Sequence, residues 1–171
     1  MFMMHLVVRD YRRLWAYTYG SKIFSIQGPH PHGMLKTWSE VDHSRIDQWK
    51  KGNTGLPIVD ACMRELSATG FMSNRGRQIV ANYLVNTLGI DWRYGAYFFE
   101  EALVDHDVHS NYGAWAYIAG VGPHSNYQPM NLLKQSLQFD SEGLFIRKWI
   151  PELGKLSHPH IHAPWTQPSD C

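Results

Sequence analysis

Apolar residues recur every fourth position near the start of the chain: Val7, Tyr11, Trp15 and Tyr19 fall on one face, widened by Leu14. This period predicts an amphipathic helix over residues 2–19, ended at Gly20. His5 and Arg9, one turn apart, share a face of it. Residues 24–36, with Gly28-Pro29-His30-Pro31-His32-Gly33, read as a loop. Trp38 opens a short linker, and 43–51 reads as a brief polar helix containing Trp49. After the turn Gly52-Asn53-Thr54-Gly55, a helix is expected over 57–68, with Pro57 at its first position and Gly70 as its C-terminal cap. Its buried stripe is Ile58, Ala61, Cys62 and Leu66. The next helix is expected over 75–88, with Asn74 as N-cap, Ile79, Val80, Tyr83, Leu84 and Leu88 as its apolar face, and Gly89 as its end. Further helices are expected from Asp91 to about Val104, over 111–119, from Pro129 to about Gln138, and over 144–150. A Pro- and His-rich tail follows. No run alternates with period two, so the pattern predicts an all-α fold of about eight helices joined by short loops.

Composition narrows the function classes. At 171 residues, 44% hydrophobic and net charge +1, the chain suits one domain with a sizeable core and does not suit disorder. Near-neutral charge gives no global footprint for nucleic acid, so any basic surface is local, at Arg9, Arg12 and Arg13 or at Arg75 and Arg77. Those last two sit in the first turn of a predicted helix, where the dipole disfavours cations, and this predicts specific anionic partners. Two cysteines, Cys62 and Cys171, make no disulfide framework and imply a reducing, intracellular setting. No run approaches the ~20 apolar residues of a membrane span. In the opening MFMMHLVVRDYRRLW the basic residues follow the apolar run, which argues against a secretory signal.

The densest chemistry lies in Asp105-His106-Asp107-Val108-His109-Ser110-Asn111-Tyr112-Gly113-Ala114-Trp115. Three readings compete. Asp105, His106, Asp107 and His109 could ligate a metal, as in a metal-dependent hydrolase. The stretch could form a cofactor pocket, its carboxylates accepting from N–H or hydroxyl donors and Gly113 and Ala114 leaving room for a flat group. It could also be a polar loop that caps a helix. In the tail, His158, His160 and His162 could offer a zinc or nickel site, as could His30 and His32, although a surface segment with adventitious metal affinity is the simpler reading.

Several motifs in order carry a resemblance: Gly52-Asn-Thr-Gly-Leu-Pro-Ile-Val-Asp60, Met63-Arg-Glu-Leu66, Gly70-Phe-Met-Ser-Asn-Arg-Gly-Arg77, Ile90-Asp-Trp-Arg93 and Asn111-x-Gly-x-Trp115. Together they resemble the C-terminal, flavin-binding helical domain of the photolyase/cryptochrome family. The DASH type is indicated by Phe71-Met-Ser-Asn-Arg-Gly-Arg-Gln78, Trp115-x-Tyr117, Ala119-Gly-Val-Gly122 and Leu132-Leu-Lys-Gln135. The resemblance implies a partial FAD-binding domain over 1–155 followed by a tail over 156–171. It implies FAD as cofactor, with Asn111 facing the flavin N5, and an amide can hydrogen-bond N5 or N5–H. It places Asp105 and Asp107 at the isoalloxazine edge and ribose, and Arg77 as the partner of the first aspartate. Asn74 and Arg9 are further cofactor-binding positions. Trp115, Trp92 and Trp38 match an electron-transfer chain running from the flavin to the surface.

On the DNA side, the resemblance implies His5, Asn74, Gln78 and Tyr117 at a pocket for cyclobutane pyrimidine dimers in single-stranded DNA. A dimer leaves the stack at lower cost in a single strand. The family's methenyltetrahydrofolate-type antenna chromophore belongs to a domain with no counterpart in these residues. The Thr/Ser-rich pyrophosphate loop also has no counterpart, and missing phosphate contacts of roughly 1.5–3 kcal/mol each would weaken cofactor affinity. Where the family's first helix carries a glutamate and a tryptophan, this chain has His5 and Val8. That substitution weighs against full repair and toward a photoreceptor, or toward an inactive helical fragment or interaction module.

Overall fold

The computed structural model describes residues 2–29, 37–122 and 129–167. It contains eight α-helices and short 3-10 and π turns, with no strand among the described residues. The chain divides into two compact units, Met1–Val41 with Leu84–Pro129, and Asp42–Tyr83 with Met130–Cys171.

The first unit is built on α1 (Phe2–Tyr19), α5 (Trp92–Ala102) and α6 (Val108–Ala119). Helix α6 packs on both others. The expected stripe of α1 holds only at its C-terminal end. Trp15 and Ala16 are buried, whereas Val7 is 60% exposed and Leu14 63%. Periodicity located the helix, but the contact made by α6 decides which part of the face is covered. A 3-10 turn (Gly20–Phe24) follows α1 and ends where the expected loop over 24–36 begins, and residues 30–36 lie outside the described residues.

Two glycines set the register of this unit. Gly89, at φ +68°, ends the preceding helix, and its carbonyl accepts from Ser39 N–H at 2.9 Å; a Cβ on Gly89 would lie 2.5 Å from Ser39 Oγ. That close approach anchors the segment carrying Trp38. Gly28, at φ +70°, leaves no room for a Cβ against the carbonyl of Val121, which follows α6.

The second unit comprises α2 (His43–Lys50), α3 (Pro57–Thr69), α4 (Asn74–Asn82), α7 (Leu132–Phe139) and α8 (Leu144–Trp149). Helix α3 is its centre, packing on α2, α4, α7 and α8. The expected stripe Ile58, Ala61, Cys62 and Leu66 is buried, joined by Val59 and Met63. Gly70 takes the left-handed cap at φ +69°, as the sequence implied. Asp60 sets the turn before α3 by accepting from Thr54 N (2.7 Å), Thr54 Oγ1 (2.6 Å) and Gly55 N (3.0 Å). Burial drives the Cys62 thiol up to about 12, with Glu65 and Asp140 adding to the effect. The segment after α8 is also packed here, with Ile161, His162 and Ala163 buried.

Several helix boundaries differ from expectation for local reasons. The N-cap of α4 is Ser73, whose Oγ accepts from Gly76 N at 3.1 Å, so Asn74 is the first helical residue. Helix α4 passes at Asn82 into a π turn (Tyr83–Thr87) instead of continuing as α-helix to 88. Helix α7 starts at Leu132 and not at Pro129, because Asn131 caps it through Lys134 N at 2.9 Å. Helix α6 starts three residues before expectation, capped by Asp107.

Candidate functional site

The dense stretch 105–115 is mostly helix. Asp107 Oδ1 accepts from Ser110 N at 2.9 Å and so caps α6, while Oδ2 lies 3.6 Å from Arg13 Nη2. Burial raises the Asp107 pKa, but the Ser110 donors and the charges of Arg13 and His109 outweigh it, and the carboxyl stays below its usual range. The capping reading of this stretch is therefore correct for Asp107. Asp105, two positions earlier, is exposed.

Asn111 is buried in the second turn of α6. Its Nδ2 donates to the carbonyl of Ala96 on α5 at 2.8 Å and lies 3.4 Å from His106 Nε2. The helix contact α5–α6 thus orients the amide and leaves Oδ1 as an acceptor for an outside donor. His106, half-buried, faces Asn111. The space at Gly113, expected to admit a flat group, is filled from within. A Cβ there would meet Cγ and Cδ of Arg12 at 3.0 and 3.1 Å. Arg12 lays its stem along α6, donates to Ser110 O at 3.3 Å, and has its pKa lowered by burial. Arg9, exposed, pairs with its neighbour Asp10 at 2.8 Å, and His5 is exposed on the same helix.

The three tryptophans lie within this unit. Trp115 is buried on α6, edge-on to Phe99 at 5.1 Å between ring centroids, and its indole covers Gly95. Gly95 stands one turn from Trp92, which is fully buried at the start of α5 and donates from Nε1 to Ile26 O at 3.2 Å. Trp38 is half-buried and lines an open cavity of about 710 Å³. The other walls include Phe24, Ile26, Tyr94, Tyr97 and Tyr112, with the Asp91–Arg93 ion pair (2.7 Å) at its edge. Sequence reasoning missed Tyr94, Tyr97, Tyr112 and Glu100. Tyr112 adjoins Asn111 in sequence, yet its partner Glu100 is twelve residues away on another helix. Tyr117, also on α6, is exposed.

In the second unit, Asn74 is exposed, and Arg77 and Gln78 are half-buried in the first turns of α4. Arg77 Nε donates to Met72 O at 2.9 Å. Arg75 was expected to meet an anion. It stacks instead over the Phe139 ring, 4.6 Å from the centroid, and reaches Gln135 Oε1 at 3.5 Å. Stacking and an amide acceptor satisfy the guanidinium without a carboxylate.

The three tail histidines do not share one point of convergence. His162 is buried, with Nδ1 2.7 Å from Ser136 Oγ, and burial lowers its pKa. His160 Nδ1 lies 3.1 Å from Thr166 Oγ1, and the rings of His158 and His162 meet edge-on at 5.5 Å. Among the described residues no group of three or more His, Cys, Asp or Glu is arranged to hold a metal ion. The cluster of Asp105, His106, Asp107 and His109 therefore gives a metal-dependent hydrolase no site, since Asp107 serves α6 and His106 faces Asn111. His30 and His32 lie outside the described residues. No helix among the described residues is long and apolar enough to cross a membrane.

The chain matches the family described as FAD binding domain of DNA photolyase over residues 2–171. It is 49% identical over 163 residues to a cryptochrome DASH of Danio rerio, covering 94% of this chain and 31% of that protein. It thus spans about a third of the length of the curated relatives it matches. Its structure is similar to that of a Synechocystis cryptochrome (TM-score 0.92, 46% identity, 98% of this chain and 34% of that one). It is also similar to an archaeal photolyase of Sulfolobus tokodaii solved with two FAD molecules (TM-score 0.86, 37% identity, 96% and 38%). The chain belongs to the photolyase/cryptochrome family, through its helical FAD-binding domain and with DASH cryptochromes among its relatives.

Proposed function

We propose that this chain serves a blue-light-responsive flavoprotein of the DASH cryptochrome type, with FAD as its cofactor and Trp115, Trp92 and Trp38 as the residues that supply electrons. When bound, FAD supplies light absorption and one-electron acceptance. The observation that carries the reading is the arrangement within one unit of three indoles at the family's motif positions. Trp115 packs on Gly95, one turn from the buried Trp92, and Trp38 stands at an open cavity. With FAD bound, Trp115 would be the first donor, Trp92 would refill it, and Trp38, at the open cavity, would refill Trp92 and be reduced in turn by a reductant in solution.

The fit of the cofactor rests on Asn111. Its Nδ2 is held by Ala96 O, so its Oδ1 is presented as an acceptor for a ring N–H. On this reading Asp105 and Asp107 are the acceptors for the cofactor's remaining donors and Arg9 is a further contact, while Arg77 and Asn74, in the other unit, are cofactor-binding positions by the family motifs alone. His5 and Tyr117 in the first unit, and Asn74 and Gln78 in the second, are the positions that the family motifs assign to single-stranded DNA carrying cyclobutane pyrimidine dimers. With His5 and Val8 at the lesion-pocket positions, light sensing is favoured over repair.

The test is an absorption spectrum of the purified chain after incubation with FAD and desalting. A retained, structured flavin band that bleaches under blue light with a reductant supports the reading. A colourless protein that stays helical refutes it, and leaves an interaction module. The exposed apolar residues of α1, including Met3 at 72% and Leu14 at 63%, favour that second reading.

A further inference from the structure

We infer that Tyr112, with Glu100 as its proton acceptor, is an electron-donating branch that leaves the tryptophan chain at Trp92. The inference rests on the reading that Trp92 carries an oxidising equivalent drawn by a photoexcited flavin. The Tyr112 ring meets the Trp92 indole edge-on, with centroids 6.1 Å apart at an interplanar angle of 80°. That separation and angle lie in the range of edge-to-face aromatic pairs. On its other side Tyr112 meets Phe24 at 4.7 Å, and a phenyl ring is not oxidised under these conditions, so the branch ends at the phenol.

Oxidation of a phenol requires loss of its proton, and the structure supplies an acceptor. Tyr112 Oη donates to Glu100 Oε2 at 2.9 Å, and Glu100 is exposed, so the proton can pass to water. Burial first, then the Glu100 carboxylate, push the Tyr112 phenol up to about 12, so it holds its proton at neutral pH until the electron leaves. The step balances. The Trp92 radical cation takes one electron from Tyr112, the Oη–H bond breaks, and its proton goes to Glu100. Neutral Trp92, a neutral phenoxyl radical and a protonated Glu100 result. Tyr97, the neighbouring phenol on α5, is bonded to Glu101 and serves as the control.

The experiment needs no flavin. Laser photoionisation at the red edge of indole absorption creates tryptophanyl radicals in the full 171-residue chain, and their decay is followed against growth of the narrow tyrosyl band. We expect tyrosyl growth at a rate independent of protein concentration, lost in Tyr112→Phe and Trp92→Phe and unchanged in Tyr97→Phe. Glu100→Gln, a surface change, should slow it by about a hundredfold, the lower end of what a positioned base contributes. Equal tyrosyl growth in wild type and Tyr112→Phe overturns the branch, as does its loss in Tyr97→Phe. A chain that passes this test yet retains no FAD overturns the flavin reading alone. A chain that retains FAD yet fails it overturns the branch alone.

Discussion

The indole of Trp115 occupies the space that a side chain at Gly95 would need: a Cβ on Gly95 would lie 2.7 Å from Cζ2 of Trp115. Glycine inside α5 costs about 1 kcal/mol of helix propensity relative to alanine. Here it lets α6 press an aromatic ring onto the backbone beside Trp92. Gly95→Ala should recover the propensity but overpack the core at about 1–3 kcal/mol. The expected net result is a loss of about 1 kcal/mol by urea unfolding, together with a shift in tryptophan emission.

Trp115→Phe keeps an aromatic ring against Phe99 but removes the oxidisable indole and the part of it that covers Gly95. On the proposed function, FAD retention should be unchanged while photoreduction under blue light falls by more than about tenfold, a barrier difference above 1.4 kcal/mol. Steady-state bleaching with a reductant, at matched flavin occupancy, measures it. A variant that photoreduces at the wild-type rate would remove Trp115 from the chain.

Asp107 caps α6 and sits 3.6 Å from Arg13. Asp107→Ala should cost about 1 kcal/mol for the cap, read as a melting temperature lower by about 2–4 °C for a chain of this size. Asp107→Asn keeps an acceptor for Ser110 N and should recover most of the loss. If alanine and asparagine behave alike, the charge and not the cap is what matters.

His162 is buried beside Ser136, and burial holds its pKa below 6.5. As pH falls through 6.5, the unfolded chain takes up a proton at this position and the folded chain does not, so stability falls until the folded pKa is reached. His162→Gln should unfold with a shallower dependence on pH between about 7 and 5, whatever its absolute stability. Urea midpoints across that range compare the slopes, and equal slopes would contradict the assignment.

Cys62 is buried, and burial pushes its thiol up to about 12. In a Cys171→Ser background, a thiolate-specific reagent at pH 8 should leave the native chain unlabelled and label it fully after denaturation. Rapid labelling of the native chain would show that α3 is not closed over this side chain.

The sequence by itself determined the helical class, the approximate position of every helix, the buried stripe of α3 and the family. These are local or pattern properties: a 3.6-residue period, a proline at a start, a glycine at an end, and motifs in order. Which part of an apolar face is covered was not legible. In α1 the stripe Val7, Tyr11, Trp15 and Tyr19 is regular, but only the neighbour α6 decides that Trp15 is buried and Val7 is not. Cap identity at Ser73 and Asp107 also needed coordinates, because adjacent polar residues satisfy the same preference equally well. Tertiary structure alone turned Arg75 toward Phe139, filled the space at Gly113 with the stem of Arg12, and set the Asn111 amide on Ala96. It also joined Tyr112 to both Trp92 and Glu100 across two helices. Periodicity reports the environment along one helix, whereas these contacts depend on where a second helix lies.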